Sequence, residues 1–382
     1  MEKRERLEFF DTVRGVVMLL MALDHASFFW NAERVAGEGL HGFFPRYANI
    51  FQMFTRVASH FTPTAFLFIA GCMMAVSAVR RETKGETRKS VSWHFTRRGL
   101  WLLFLQFTFV NFGFMTKPYL HGSLKAVFFL DVLWAIGVNL ILLSWLRCAG
   151  RFALAVLAAV SLFLLPLIPE SGLLYADNVF LEALGIMFFS PSASFASPLY
   201  CLYPVFPWTG VMVCGYLFGR WLMRDDEKKD EKLLRFSFFS GAVCLAAFFF
   251  LRTVNSLGNR IFWSDWTVLE FFAVSKYPPS LVYFLLTAGL TLWLLFLSFQ
   301  VEKSEGAFKK ISKIIQVFGR VPLFFYVLHL YLYGVVPLLL GLKKPVSLIS
   351  VYGIWLAGIF LLIKPCQWFY RYKVMRNQHK SI

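Results

Sequence analysis

"RGVVMLLMALDH" (residues 14–25) opens on a cation, runs through an apolar stretch and closes on an acid and an imidazole. Eleven residues at about 100° each return to nearly the same azimuth, so Arg14 and His25 share one face of a helix, about 16 Å apart along its axis. Asp11, three residues before Arg14, is within reach of the guanidinium. The segment is apolar enough to enter a membrane, yet Asp24 and His25 fall past its midpoint. Ionisable groups inside a span cost free energy unless they face a protein interior or water, so this stretch predicts a helix with a buried polar end.

The rest of the chain agrees. Its 382 residues are 58% hydrophobic and 16% charged, more apolar than a soluble domain of this size can bury. Apolar runs near the 20 residues needed to cross about 30 Å of hydrocarbon recur along the whole length. The expected fold is an all-α integral membrane protein, a single domain over 1–382. About ten spans are expected, at 13–30, 62–79, 97–113, 126–145, 152–168, 204–222, 236–252, 279–298, 320–341 and 346–364. The N-terminus "MEKRERLEFFDTVRG" mixes both charge signs and lacks a small-residue cleavage site, so the first helix is expected to be retained.

The net charge of +17 comes from Lys and Arg in short connections, with 28 of the 39 in alternate segments. That is the pattern that orients membrane helices, and it argues against a nucleic-acid partner. It predicts a multi-pass protein of the cell (inner) membrane with both termini in the cytoplasm. Three outer loops, 31–61, 169–203 and 253–278, are rich in aromatic residues and long enough to roof a cavity. Cys72, Cys148, Cys201, Cys214, Cys244 and Cys366 show no CxxC and no regular spacing, so neither a disulfide nor a metal site is expected.

Other polar groups interrupt apolar runs: Asp131 in "AVFFLDVLWAIG", His329 in "VPLFFYVLHLYLYG" and His60 at the outer start of the second span. Lys276 in "KYPPS" reads as an interface anchor. Arg14 either snorkels to the membrane surface or grips an anion. Asp24 either steadies the His25 ring or points about 100° away and pairs with another helix. A histidine near neutrality takes a proton from a hydroxyl or an amine. With a cation at the cytoplasmic mouth to hold a phosphate-bearing donor, the layout describes acyl transfer across a membrane. Two other classes stay open: a proton-coupled small-molecule transporter using Asp24, His25, Asp131 and His329, and a non-catalytic subunit of an envelope-polymer assembly.

The stretch "LEFFDTVRGVVMLLMALDHASFF" resembles the first helix of the heparan-α-glucosaminide N-acetyltransferase catalytic-domain family, in particular its bacterial members. The likeness continues through "FTRVASHFTPTAFLFIAG", "RRGLWLLFLQ", "VLWAIG", "YPVFPWTGVMVCGYLFGR", "SKYPPSLVYFLLTAGL" and "FGRVPLFFYVLHLYLYG". The spacing of Arg14 and His25 is also similar to that of broader transmembrane acyltransferases that modify surface polysaccharides. The resemblance implies transfer of acetyl from cytoplasmic acetyl-CoA, with no metal, to a sugar or glycan acceptor on the far side, through a tunnel between helices. It implies that Arg14, steadied by Asp11, helps hold CoA, and that His25 with Asp24 serves the transfer. His329, Asp131 and His60 are further candidates, and association into a homodimer is left open. The animal enzymes carry asparagine where His25 stands and a catalytic histidine in the next loop. Direct transfer and an acetyl-histidine route therefore both stand.

Overall fold

The computed structural model describes residues 8–35, 37–120, 128–167, 178–191, 199–224, 227–342 and 344–379. Fifteen α-helices are found among them. The first eight are α1 (Glu8–Trp30), α2 (Ile50–Glu82), α3 (Arg88–Leu105), α4 (Asn111–Leu120), α5 (Val132–Leu146), α6 (Arg151–Ala159), α7 (Val179–Phe188) and α8 (Val205–Leu222). The others are α9 (Lys229–Val254), α10 (Val268–Phe271), α11 (Leu281–Lys303), α12 (Ala307–Arg320), α13 (Pro322–Leu330), α14 (Val336–Leu339) and α15 (Leu348–His379).

Seven helical segments are long and apolar enough to cross a membrane: Glu8–Trp30, Ile50–Glu82, Arg88–Thr116, Lys229–Val254, Leu281–Lys303, Pro322–Leu339 and Leu348–Arg376. The other three expected spans fall on helices that are shorter or less apolar, α5, α6 with its continuation to Leu167, and α8. Residues 168–177 and 192–198 of the second outer loop lie outside the described residues, as do Lys3, Arg4 and Arg6.

The structure refines the sequence reading at three places. The second long helix begins at Ile50 rather than 62, capped by the Asn49 side chain, so His60 sits inside a helix rather than at its outer start. The basic segment before Arg320 forms α12, whose polar side pairs Lys309 with Glu302 and Lys313 with Glu8. Phe308, Ile311 and Ile314 of α12 are exposed, the pattern of a helix lying at a membrane surface. The fold is mostly helical, consistent with the all-α expectation, with one small addition. Strands β1 (Phe128–Leu130) and β2 (Leu199–Cys201) form a short parallel pair with Phe129 opposite Tyr200.

Helices α1 and α2 are among the most enclosed, whereas α15 and α9 are mostly exposed on the flanks of the bundle. Asp24 near the end of α1 meets Arg56 and Ser59 near the start of α2, so α2 runs back beside α1 and ends at Glu82 on the Arg14 side. Helix α12 fits against the first half of α1 through glycine. A Cβ on Gly319 would stand 1.9 Å from the Asp11 carbonyl oxygen, and one on Gly15 would stand 2.3 Å from that of Ile315. Backbones can approach this closely only without side chains between them. Gly319→Val is expected to push α12 off α1 at a cost of about 1–3 kcal/mol or more, read as a lower melting temperature of the purified protein.

Among the described residues three π-turns interrupt the bundle, Gln106–Val110 between α3 and α4, Val160–Leu164 at the end of α6 and Tyr331–Val335 between α13 and α14. Insertions of this kind re-aim side chains and concentrate at functional sites. The first anchors β1: Gln106 Nε2 donates to the Phe129 carbonyl at 2.6 Å, and Asn111 Oδ1 accepts from the Phe129 amide at 2.7 Å.

Candidate active site

Helix α1 carries the site along one face, as the eleven-residue spacing requires. At its start, Arg14 Nη2 donates to Asp11 Oδ1 at 2.5 Å, and Arg320 Nε lies 3.8 Å from Asp11 Oδ2. Asp11 is buried and shared by the two guanidinium groups, so the cluster keeps net positive charge at the start of α1. Arg14 opens onto a cavity of about 200 Å³ between α1, α2, α3, α5 and α13. Its walls are Met18, Met73, Phe95 and other apolar groups, with Tyr326 at the inner end. Arg98, which sequence reading assigned only to orientation, also lines this cavity and has no ion pair or hydrogen bond among the described residues.

At the other end of that face, His25 Nδ1 lies 2.7 Å from Nε2 of His329, whose Nδ1 lies 2.9 Å from the Phe325 carbonyl oxygen. A carbonyl can only accept, so His329 carries its proton on Nδ1. Its Nε2 is then the acceptor and His25 Nδ1 the donor. This chain leaves the lone pair of His25 on Nε2, the tautomer of a general base. His25 lines a second cavity of about 60 Å³ with Asp24, Phe28, Arg34, Asp131, Tyr200 and Tyr277 among its walls. The cavities meet at a hydrogen bond: Tyr326 Oη, from the first, donates to Asp131 Oδ2, from the second, at 2.6 Å. Asp131 itself stands at the start of α5, next to β1.

Asp24 does not touch the His25 ring. Its carboxylate pairs with Arg56, with Arg34 at 3.1 Å, and accepts from Ser59 at 3.2 Å. Arg56 in turn holds Glu38, at 2.8 Å from Nε and 2.7 Å from Nη2. His60 Nε2 lies 3.4 Å from the same Glu38 oxygen and lines neither cavity. Burial disfavours the charged form of Glu38, but the Arg56 guanidinium and His60 outweigh it and hold the carboxyl well below its usual range.

The Glu38 carbonyl accepts the amides of Lys276 and Tyr277, both at 3.0 Å, and joins two outer loops over the site. Gly39, at φ +88°, presses so closely on Ser275 that a Cβ would meet its Oγ at 1.9 Å. Lys276 is buried, with its ammonium 5.2 Å and 5.8 Å from the ring centroids of Tyr277 and Tyr203. It is part of the polar centre and not an interface anchor, because the loop folds inward rather than lying on the membrane.

Burial pushes the Lys276 ammonium down to about 8, against the pull of Asp24. The unfolded chain therefore holds this proton to higher pH, and stability rises as pH climbs from about 8 towards 10.5. Lys276→Met is expected to remove that rise from the melting temperature measured against pH.

The structure thus brings Asp131 to the junction of the two cavities, His25 and Asp24 to the wall of the second with His329 hydrogen-bonded behind His25, and Arg14, paired with Asp11, to the mouth of the first. Sequence reading did not single out Tyr326, Arg34, Arg56, Glu38 or Arg98. Glu38 and Arg34 are charges in an aromatic-rich loop, a signal that was present but unread. Among the described residues no group of three or more His, Cys, Asp or Glu is placed to hold a metal ion.

The fold and site define a multi-pass helical membrane protein with a polar centre enclosed between helices. The family model described as heparan-alpha-glucosaminide N-acetyltransferase, catalytic, matches residues 6–251, well over half of the chain, and the chain belongs to that family. It is by that membership a transferase of the membrane acyltransferase class. No curated protein matches the chain. The family match includes Arg14, Asp24, His25, His60 and Asp131, while Lys276, Tyr326 and His329 lie beyond it.

Proposed function

We propose that the protein moves an acetyl group from acetyl-CoA, entering at the Arg14 end, to a hydroxyl or amine of a sugar or glycan acceptor at the His25 end. In this reading residues 1–382 form one domain, and the Arg14 mouth and both termini face the cytoplasm. The Lys and Arg asymmetry of the connections supports that orientation. The observation that carries the proposal is the junction itself: two cavities reach opposite sides of the Tyr326–Asp131 hydrogen bond, and His25, with its lone pair on Nε2, lines the second.

Arg14 and Arg98 are suited to the phosphates of CoA, since a guanidinium fork matches phosphate geometry. The narrow apolar cavity behind them suits the pantetheine arm. Phe28, Tyr200 and Tyr203 give the second cavity aromatic walls beside the polar groups that a sugar ring requires. In direct transfer the acceptor oxygen or nitrogen forms its bond to the acyl carbon as the carbon–sulfur bond breaks. The acceptor proton goes to His25 Nε2 and then to the departing CoA thiolate. The imidazolium formed in between is shared with His329 through the 2.7 Å contact.

The test is the melting temperature of the detergent-purified protein with acetyl-CoA or CoA. A ligand at 100 times its Kd adds about 2.7 kcal/mol to the folded state. The shift is expected in wild type, to shrink in Arg14→Ala and Arg98→Ala, and to persist in His25→Ala. No shift in wild type at millimolar ligand contradicts the proposal.

A further inference from the structure

A third cleft, of about 210 Å³, lies among the ends of α2, α3, α5, α6 and α8, on the Arg14 side of the bundle. Its charged walls are Glu82, Arg88, Arg147, Arg151 and Arg220. Arg147 is fully engaged: it pairs with Glu82 at 2.5 Å and donates to the backbone carbonyls of Arg88 at 2.9 Å and Ser144 at 3.1 Å. That pair neutralises itself. The Arg88, Arg151 and Arg220 side chains remain, with no ion pair or hydrogen bond of their guanidinium groups among the described residues.

Two independent features point to a negatively charged occupant. Tyr216 lines the cleft at 2% exposure, and its hydroxyl, beside the Arg147 guanidinium, makes no hydrogen bond within 3.5 Å among the described residues. A buried phenol left in this state costs free energy that a bound acceptor would recover. Helix α6 starts on the same wall, at Gly150 with φ +89°, with no side-chain cap and no acidic residue in its first turn. An uncapped N-terminus carries free amides and partial positive charge, and here the first helical residue is itself an arginine. Like charges have been collected where a helix end would otherwise recruit Asp or Glu.

We infer that this cleft is an anion site for a phosphate group, bound by Arg88, Arg151, Arg220 and the Tyr216 hydroxyl against the N-terminus of α6. Planar guanidinium forks favour phosphate oxygens. The phosphate belongs either to the headgroup of an anionic membrane lipid or to a soluble phosphate compound. The site shares no residue with the cavity that opens at Arg14, so it stands or falls apart from the proposed reaction.

The experiment follows the melting temperature of the full chain in neutral detergent as phosphatidylglycerol, phosphatidylcholine or inorganic phosphate is added. It uses wild type, an Arg151→Gln/Arg220→Gln pair, Arg88→Gln and Tyr216→Phe. Stabilisation by phosphatidylglycerol and not by phosphatidylcholine or phosphate is the result for a lipid headgroup. Stabilisation by inorganic phosphate alone is the result for a soluble source. In either case the half-saturating concentration is expected to rise at least about tenfold in the double variant, a loss of about 1.4 kcal/mol, and less in Tyr216→Phe. Arg88→Gln, an exposed single change, supplies the comparison if the double variant does not fold. Arg14→Ala should respond to the anion as wild type does. No stabilisation by either anion, or stabilisation unchanged in the variants, overturns the inference.

Discussion

His25→Ala is expected to lower acetyl transfer by about 10²- to 10⁴-fold, the usual contribution of a positioned general base, while leaving acetyl-CoA binding intact. Among the described residues lining the second cavity, the imidazole is the one group whose hydrogen-bonding chain leaves a lone pair on a neutral nitrogen, through Phe325, His329 and His25 in turn. His329→Phe keeps the ring volume but removes the acceptor for His25 Nδ1. The His25 tautomer is then no longer fixed, and an intermediate loss is expected, between wild type and His25→Ala. Release of free CoA in the presence of acceptor measures both. Equal activity of His25→Ala and wild type would remove the imidazole from the chemistry.

Arg56→Ala is expected to cost the fold more than any other single change in the site. The guanidinium is the shared partner of Asp24 and Glu38, and Glu38 is fully buried. Removing one member of a buried ion pair leaves its partner uncompensated, at about 3–5 kcal/mol. The variant should melt many degrees lower or fail to accumulate. Arg56→Ala with Glu38→Gln should recover part of the loss, because only Asp24 then needs a counter-charge and Arg34 already supplies one at 3.1 Å. A double variant no more stable than the single one would contradict the pairing.

The helix pattern and the Arg14–His25 face were legible because both follow from local periodicity, which a continuous helix preserves. So were the inward orientation of Asp24 and the burial of His25 and His329, since ionisable groups in apolar runs must turn inward. What escaped depends on long-range contact. Tyr326 becomes the partner of Asp131 only when α13 reaches the start of α5. Glu38 and Lys276 lie in loops that read as interfacial, and their burial comes from the Gly39–Ser275 contact and from hydrogen bonds between the loops.

The β1–β2 pair joins segments about 70 residues apart and has no periodic signature of its own. Arg98 was read with the orienting cations because charge sign alone does not say which side chains face a cavity. The family likeness read from "SKYPPSLVYFLLTAGL" and "FGRVPLFFYVLHLYLYG" lies past residue 251, where the family match ends. The histidine that fixes the His25 tautomer is in that second block.

The central claim is that one donor route runs along α1 from Arg14 to His25. The measurement that tests it most directly is an experimental structure of the protein bound to a non-transferable acetyl-CoA analogue in lipid nanodiscs. The account predicts phosphates against Arg14 and Arg98, the pantetheine arm through the cavity lined by Met18, Met73 and Phe95, and the acyl group at the Tyr326–Asp131 junction facing His25 Nε2. An analogue bound elsewhere, or one that enters the Arg14 cavity with its acyl end turned away from His25, would contradict it.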